Sequence, residues 1–259
     1  MSSEHLVYLK NIKKKKLIKI FFQVFIFLAL IIFWQLAADM KWINSFVSSS
    51  PKKVLETIIK LYNDGSIFYH IWVSLYEVLL SFLIGTILGL IIATILWKHE
   101  FLFEILNPYL TILNCMPKVS LGPIIIIIAG ASTKSIILMA LFISLIITVI
   151  DVHHAFRQTD INKIRFLKSL SASKKQIFFK LILPYNFSNL VNISKVSFSL
   201  VFVGVITGEF LVSKAGVGYL IMYGSQVFNL DLVMCGVFLI SLMASFIYYL
   251  IVLIEKKLS

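Results

Sequence analysis

Long apolar runs at residues 20–38, 71–97, 105–130, 134–152, 190–212 and 232–254 alternate with short polar segments along this 259-residue chain. A helix crossing a bilayer needs about 20 mainly apolar residues, and each run meets that length. The pattern predicts an all-α polytopic membrane protein with about six transmembrane helices. No small-residue cleavage site follows the first run, so residues 20–38 read as a span rather than a signal peptide.

Two of the polar segments keep a helical rhythm of their own. In residues 48–62, Ser50 is placed as an N-cap and Pro51 as a first-turn residue. Val54, Leu55, Ile58, Ile59 and Tyr62 then fall on one face, which predicts an external helix lying on the membrane surface. In residues 160–184, Ile161, Ile164, Leu167 and Leu170 recur every three positions until Ser171-Ala172-Ser173 interrupts them. Ser173 with Gln176 is a capping-box signature. A second helix is therefore predicted with Ile177, Phe178, Leu181 and Ile182 on one side, ending before Pro184. Arg165, Lys168, Lys174, Lys175 and Lys180 would each cost several kcal/mol inside a bilayer. The segment is thus a loop presenting a folded surface, either lying on the membrane alone or meeting a soluble partner.

Composition agrees with the spans. Hydrophobic residues make up 59 % of the chain, charged residues 14 %, and mean hydropathy is +0.96. The net charge of +12 would suit nucleic acid in a soluble protein, but here it follows the topology. With the N-terminus inside, sixteen of the 24 Lys and Arg fall in inside segments and six in outside ones. That is a positive-inside bias, and it predicts both termini in the cytoplasm. The domains expected are a basic cytoplasmic N-terminus, 1–19, and a transmembrane domain, 20–259, carrying a cytoplasmic loop at 153–189. The Lys13–Lys16 run is placed to meet anionic lipid. Cys115 and Cys235 fall in spans with no CxxC or zinc spacing.

Polar groups in or beside spans are where a solute pathway would show. Asn114, Met116, Pro117, Lys118 and Ser120 interrupt the third span, with Pro123 a second disruption. Broken helices occur where backbone lines protein or a water-filled cavity, so these five residues are pathway candidates or a structural kink. Asn192, Ser194, Lys195, Ser197 and Ser199 read first as glue between helices. Glu209 is expected to hydrogen-bond the Gly216-Val217-Gly218 turn. Asp151, His153 and His154 read as polar residues at a span end. Gly85 and Gly89 form a GxxxG, fit for an internal contact or a dimer contact. No G-x-x-x-x-G-K-[ST] loop is present to bind ATP.

Residues 160–184 resemble the cytoplasmic loop of inner-membrane permeases of binding-protein-dependent ABC importers. The family motif is Glu-Ala-Ala, three residues, Gly, nine residues, Ile, one residue, Leu-Pro. Here Leu181 and Leu183-Pro184 stand at the correct spacing, and Leu170-Ser171-Ala172-Ser173 stands where LGAS is often found. Arg165-Phe166-Leu167 replaces Glu-Ala-Ala, and Ser171 replaces the glycine. Gly208-Glu209-Phe210-Leu211 followed by 215–221 (AGVGYLI) is similar to the AEFL…GLGYLI stretch of the sulfonate, nitrate and taurine branch, and Ser74–Leu79 resembles its SLxRVL, with Glu77 at the basic position.

The resemblance implies a type I ABC importer (MetI-like) permease fold in the bacterial cytoplasmic membrane. It also implies separate ABC ATPase subunits, an extracytoplasmic substrate-binding protein and a second permease copy, by default an identical one. It makes 153–189 a coupling loop, with Arg165, Lys168, Leu170, Ser171, Ala172, Ser173, Leu181, Leu183 and Pro184 as coupling positions. The chain itself is then no enzyme and needs no cofactor. Two other functions make different demands on the sequence. A secondary transporter needs charged coupling groups near the membrane centre, whereas Glu77 and Glu209 are predicted near outer span ends. An intramembrane enzyme needs a Ser/His, paired Asp or HExxH constellation, which the spans lack.

Overall fold

A computed structural model describes residues 3–44 and 48–258. Met1, Ser2 and Ser259, the outermost residues of the two predicted domains, lie outside it, as do residues 45–47. In chain order the helices are α1 (Ser3–Asp39), α2 (Pro51–Asn63), α3 (Ser66–Lys98), α4 (Glu100–Cys115), α5 (Gly122–Ala129), α6 (Thr133–Arg157), α7 (Ile161–Ser169), α8 (Lys174–Ile177), α9 (Leu183–Tyr185), α10 (Phe187–Val212), α11 (Val217–Gln226) and α12 (Leu230–Leu258). Segments of α1, α3, α6, α10 and α12 are long and apolar enough to cross a membrane; the α4–α5 pair, bent by 89°, reaches that length only when taken together, which makes five spans or up to six. The all-α, roughly six-span architecture is the one the apolar runs predict.

The third run, 105–130, is where local chemistry divides one predicted helix into two. Met116 precedes a proline and is extended, with φ −67° and ψ 144°, the region to which a pre-proline residue is pushed. A short 3₁₀ turn covers Lys118–Leu121. Pro123 then sits in the first turn of α5, where its missing N–H costs nothing. It opens a helix rather than disrupting one, contrary to the sequence reading.

At the centre stands α6, packed between α3 and α10. Close approach needs small residues on both neighbours. A Cβ on Gly89 would lie 2.6 Å from Thr148 Cγ2, and one on Gly204 would lie 2.6 Å from Ala140 Cα. The GxxxG of Gly85 and Gly89 is therefore spent on an internal contact. The hydroxyls of Thr148 and Ser197 hydrogen-bond at 2.9 Å across α6 and α10, so Ser197 is helix glue as expected. Val78, Ala140, Phe198, Val201, Val205 and Cys235 join α3, α6, α10 and α12 in one apolar core.

Ser50 caps α2 by accepting from Lys53 N, as predicted. Only part of the predicted apolar face of α2 packs: Val54 is buried and Ile58 half-buried, whereas Leu55, Ile59 and Tyr62 are exposed. The physical reason is that α2 rests edge-on against α12 and α3, which covers one edge of the apolar stripe. Helix α1 runs unbroken through the predicted boundary at residue 19 and is tied to α2, where Gln35 Oε1 accepts from Lys52 N at 3.0 Å.

Candidate functional site

Between α6 and α10 the chain leaves the bundle and returns, and its two feet are bolted together. Asn186 Nδ2 donates to Thr159 Oγ1 at 2.7 Å and to Ile182 O at 2.9 Å. Both Asn186 and Thr159 are buried, so this pairing fixes how the loop leaves the spans. Above the feet lies an apolar plug. Ile177, Phe178 and Ile182 are buried with Ala93, Val152 and Phe156, and Phe178 meets Trp97 and Phe156 with ring centroids 5.2 and 5.4 Å apart. Movement of the loop as a unit is thereby tied to the ends of α3, α6 and α10.

The sequence predicts the loop's local structure closely at its turn. Asp160 caps α7, accepting from Asn162 N at 2.8 Å. Helix α7 ends in a Schellman motif: Ala172 N donates to Leu167 O at 3.1 Å and Ser171 N to Lys168 O at 2.9 Å. The capping box of Ser173 and Gln176 is formed on both arms. Ser171, standing where the motif has glycine, has φ +57°, a left-handed conformation costing a non-glycine residue roughly 1 kcal/mol or more. Ser171→Gly is therefore expected to stabilise the turn by about 0.5–1 kcal/mol. Hydrogen exchange at the Ala172 amide should slow by a few-fold, and faster exchange would contradict the strain argument.

Beyond α8 the structure departs from the predicted second helix. Only Lys174–Ile177 is α-helical, and Phe178–Ile182 forms a π turn in which Leu183 N bonds to Phe178 O. The wider coil carries the chain past Pro184, which lies in the first turn of α9 instead of ending the segment. It also turns Phe178 and Ile182 inward while leaving Leu181 half-buried.

The predicted coupling residues divide into two sets. Ala172 and Leu183 pack onto the plug and Leu181 is half-buried, whereas Arg165, Lys168, Leu170, Ser171, Ser173 and Pro184 are exposed. Ile161, Ile164, Leu167 and Leu170 do not share a face: Ile164 and Leu167 turn inward, Ile161 and Leu170 outward. A three-residue step falls short of a 3.6-residue turn, so over nine residues the stripe rotates to the opposite side. The apolar crest this leaves on α7 is Phe166 (64 % exposed) and Leu170 (63 %), one turn apart, while Phe179 beyond α8 is 58 % exposed. Phe166 and Phe179 were not singled out from the sequence, nor were Thr159 and Asn186. A polar residue just past Leu183-Pro184 was the available signal for Asn186.

The five pathway candidates all lie at the break between α4 and α5. Lys118 Nζ donates to Asn114 O at 2.8 Å and to Asn114 Oδ1 at 3.2 Å, closing the carbonyl end of α4. Met116, Pro117 and Ser120 are exposed, and no residue of α4 is buried within the single chain.

At the other end of the bundle, a buried carboxylate holds the start of α11. Glu209 Oε2 accepts from Gly218 N and Oε1 from Ser74 Oγ, both at 2.5 Å. Ser74 Oγ in turn accepts from Val217 N at 2.8 Å, and His70 Nδ1 accepts from Gly216 N at 3.1 Å. Three backbone donors that a helix start leaves unpaired are satisfied by side chains of α3 and α10. Gly216 and Gly218 are required because a Cβ on either would meet the Glu209 carboxylate, at 2.5 Å and 2.7 Å from its oxygens. The expected bond of Glu209 to this turn is thus present. Glu77 lies buried beside it, facing Thr133 and Glu209.

Comparison with known proteins bears on this arrangement. The pattern defining the family "Binding-protein-dependent transport system inner membrane component" matches residues 85–259. The chain is similar to the putative aliphatic sulfonates transport permease protein SsuC of Bacillus subtilis (strain 168), with 25 % identity over 229 residues, 88 % of this chain and 83 % of that protein. It is also similar to the riboflavin transport system permease protein RibX of Chloroflexus aurantiacus, at 25 % identity over 229 residues, covering 88 % of this chain and 85 % of that protein. Among solved structures, an inward-facing MetNI methionine ABC transporter chain superposes with TM-score 0.65 at 16 % identity, covering 73 % of this chain and 94 % of that one.

Proposed function

The chain belongs to the family of binding-protein-dependent transport system inner membrane components, and on that premise we propose that its 153–189 loop is where a separate ATPase drives it. It is the permease subunit of an ABC importer, a multi-pass membrane protein that forms the path of a small solute. The observation that carries the coupling reading is the exposed crest of Phe166 and Leu170 on α7, a helix packed through Ile164 and Leu167 on a plug fixed to three spans. Such a crest suits a groove on a soluble subunit, with Arg165 and Lys168 at its polar rim and Ser171 and Ser173 setting the turn. Leu181, Leu183, Ala172 and Pro184 act from behind, holding the crest's shape.

Nucleotide-driven closure of paired ATPases would move the loop and tilt α3, α6 and α10 with it. That is a population shift set by differential binding. The charge distribution supports both termini and the loop on the cytoplasmic side of a bacterial inner membrane, with the basic 1–19 segment ahead of the transmembrane domain, 20–259. Delivery by an extracytoplasmic binding protein follows from the family. A second, identical copy would cover α4 and close a pathway over Asn114, Met116, Pro117, Lys118 and Ser120. Relatives of equal identity are named for sulfonates and for riboflavin, so similarity does not choose the cargo.

The test is capture of the tagged chain from native membranes in mild detergent. An ATPase carrying a phosphate-binding loop should co-purify, and should be lost when Leu170–Ser173 is replaced by a Gly/Ser linker of equal length. Solitary recovery, with solute still moving in vesicles without ATP, would sink the reading.

A further inference from the structure

Where α3 and α6 end and α4 begins beside the loop, a cavity of about 470 Å³ counts Lys98, Glu100, Arg157, Lys168 and Lys174 in its lining, together with Trp97 and apolar side chains from the loop. Four cationic side chains face one carboxylate, and Glu100 is already engaged by Arg157. Among the described residues Lys98, Lys168 and Lys174 make no ion pair within 4 Å, and Lys174 reaches Glu100 only through the longer-range field. Like charges brought together repel one another, so an anion among them would be held favourably. A neighbouring, more open cavity shares Lys98, Glu100 and Lys174 and continues onto Ile95, Phe101 and Leu102. Ile95 and Phe101 are 47 % and 76 % exposed, on helices whose outer surfaces are apolar. The basic chamber thus opens along an apolar wall.

We propose that this chamber binds a phosphate group, and that the phosphate is the headgroup of an anionic phospholipid whose acyl chains lie along Ile95, Phe101 and Leu102. Basic pockets at the cytoplasmic ends of spans hold anionic headgroups in this manner. Placing the chamber on the cytoplasmic side rests on the proposed orientation; the phosphate chemistry does not. Lys168 comes from α7, Lys174 from α8, and Lys98 from the end of α3. A bound headgroup therefore ties the coupling loop to the bundle by a route other than the Asn186–Thr159 bolt.

Native mass spectrometry of the purified full chain, titrated with phosphatidylglycerol or phosphatidylcholine, tests this. Phosphatidylglycerol should be retained preferentially. Lys98→Gln with Lys174→Gln should weaken that retention by about tenfold or more, at roughly 1 kcal/mol per lysine. Lys98→Arg with Lys174→Arg should keep it. Displacement by millimolar inorganic phosphate would assign the site to free phosphate, and persistence assigns it to lipid. Equal retention by wild type and the double glutamine variant, or equal retention of phosphatidylcholine, overturns the proposal. Neither result depends on whether an ATPase is captured, so failure here is separable from failure of the coupling reading.

Discussion

Glu209→Ala is expected to lower the thermal unfolding midpoint of the detergent-purified protein by about 10 °C. The substitution strips the acceptor from Gly218 N and from Ser74 Oγ, and each buried group left unpaired costs about 1–3 kcal/mol. With the cavity added, a loss of roughly 3–5 kcal/mol is in the range of the larger single-site effects. At this chain length, each kcal/mol moves the midpoint by about 2–4 °C. Gly216→Ala should be of similar severity, since its Cβ would collide with the carboxylate and its φ of +105° strains any other residue. The double variant is the sharper test. With the carboxylate gone, the collision is gone too, so the two losses should fall short of their sum by about 1–3 kcal/mol. Full additivity, or a Glu209→Ala midpoint at the wild-type value, would mean the start of α11 finds other acceptors and the clamp does not hold it.

Phe166→Asp together with Leu170→Asp is expected to weaken ATPase capture by about a thousandfold without unfolding the chain. Both side chains are roughly two-thirds exposed, so neither contributes much to the bundle itself. Buried in a partner's groove, each would be an anchor of about 2 kcal/mol or more, and a carboxylate adds desolvation on top. Co-purification yield, read beside the thermal midpoint, separates docking from folding. The midpoint should stay near wild type while the ATPase is lost. Retained capture would mean that the crest is not the docking surface, whatever the loop's spacing suggests.

Legibility followed the range of the interactions. Five of the six apolar runs fell on single helices long enough to span, and the third on the bent α4–α5 pair, because about twenty apolar residues in lipid satisfy their backbone as helix. The caps at Ser50, Asp160 and Ser173 and the turn at Ser171 are contacts within a few residues, so they were open to a sequence reading or required only a short extension of one. The break at Met116-Pro117 could be located from the prolines, but not its 89° bend, which depends on how α5 packs against α6. The π turn at Phe178–Ile182 could not be foreseen. It arises because Phe178 must reach Trp97 and Phe156, side chains 81 and 22 positions away in the chain.

By itself, the sequence determined that this chain is an all-helical membrane protein with a basic folded loop, and its motifs pointed to the family that the comparisons then showed. Hydropathy, charge placement and motif spacing are properties of segments, and they survive without a neighbour. Tertiary structure alone decided which residues meet. It spent Gly85 and Gly89 on α6, joined Asn186 to Thr159, set Glu209 against the start of α11, and gathered Lys98, Arg157, Lys168 and Lys174 around one chamber. Each of these pairings spans tens of residues, and its energy depends on burial and on angles within a few tenths of an ångström. Those quantities exist only once the helices have packed.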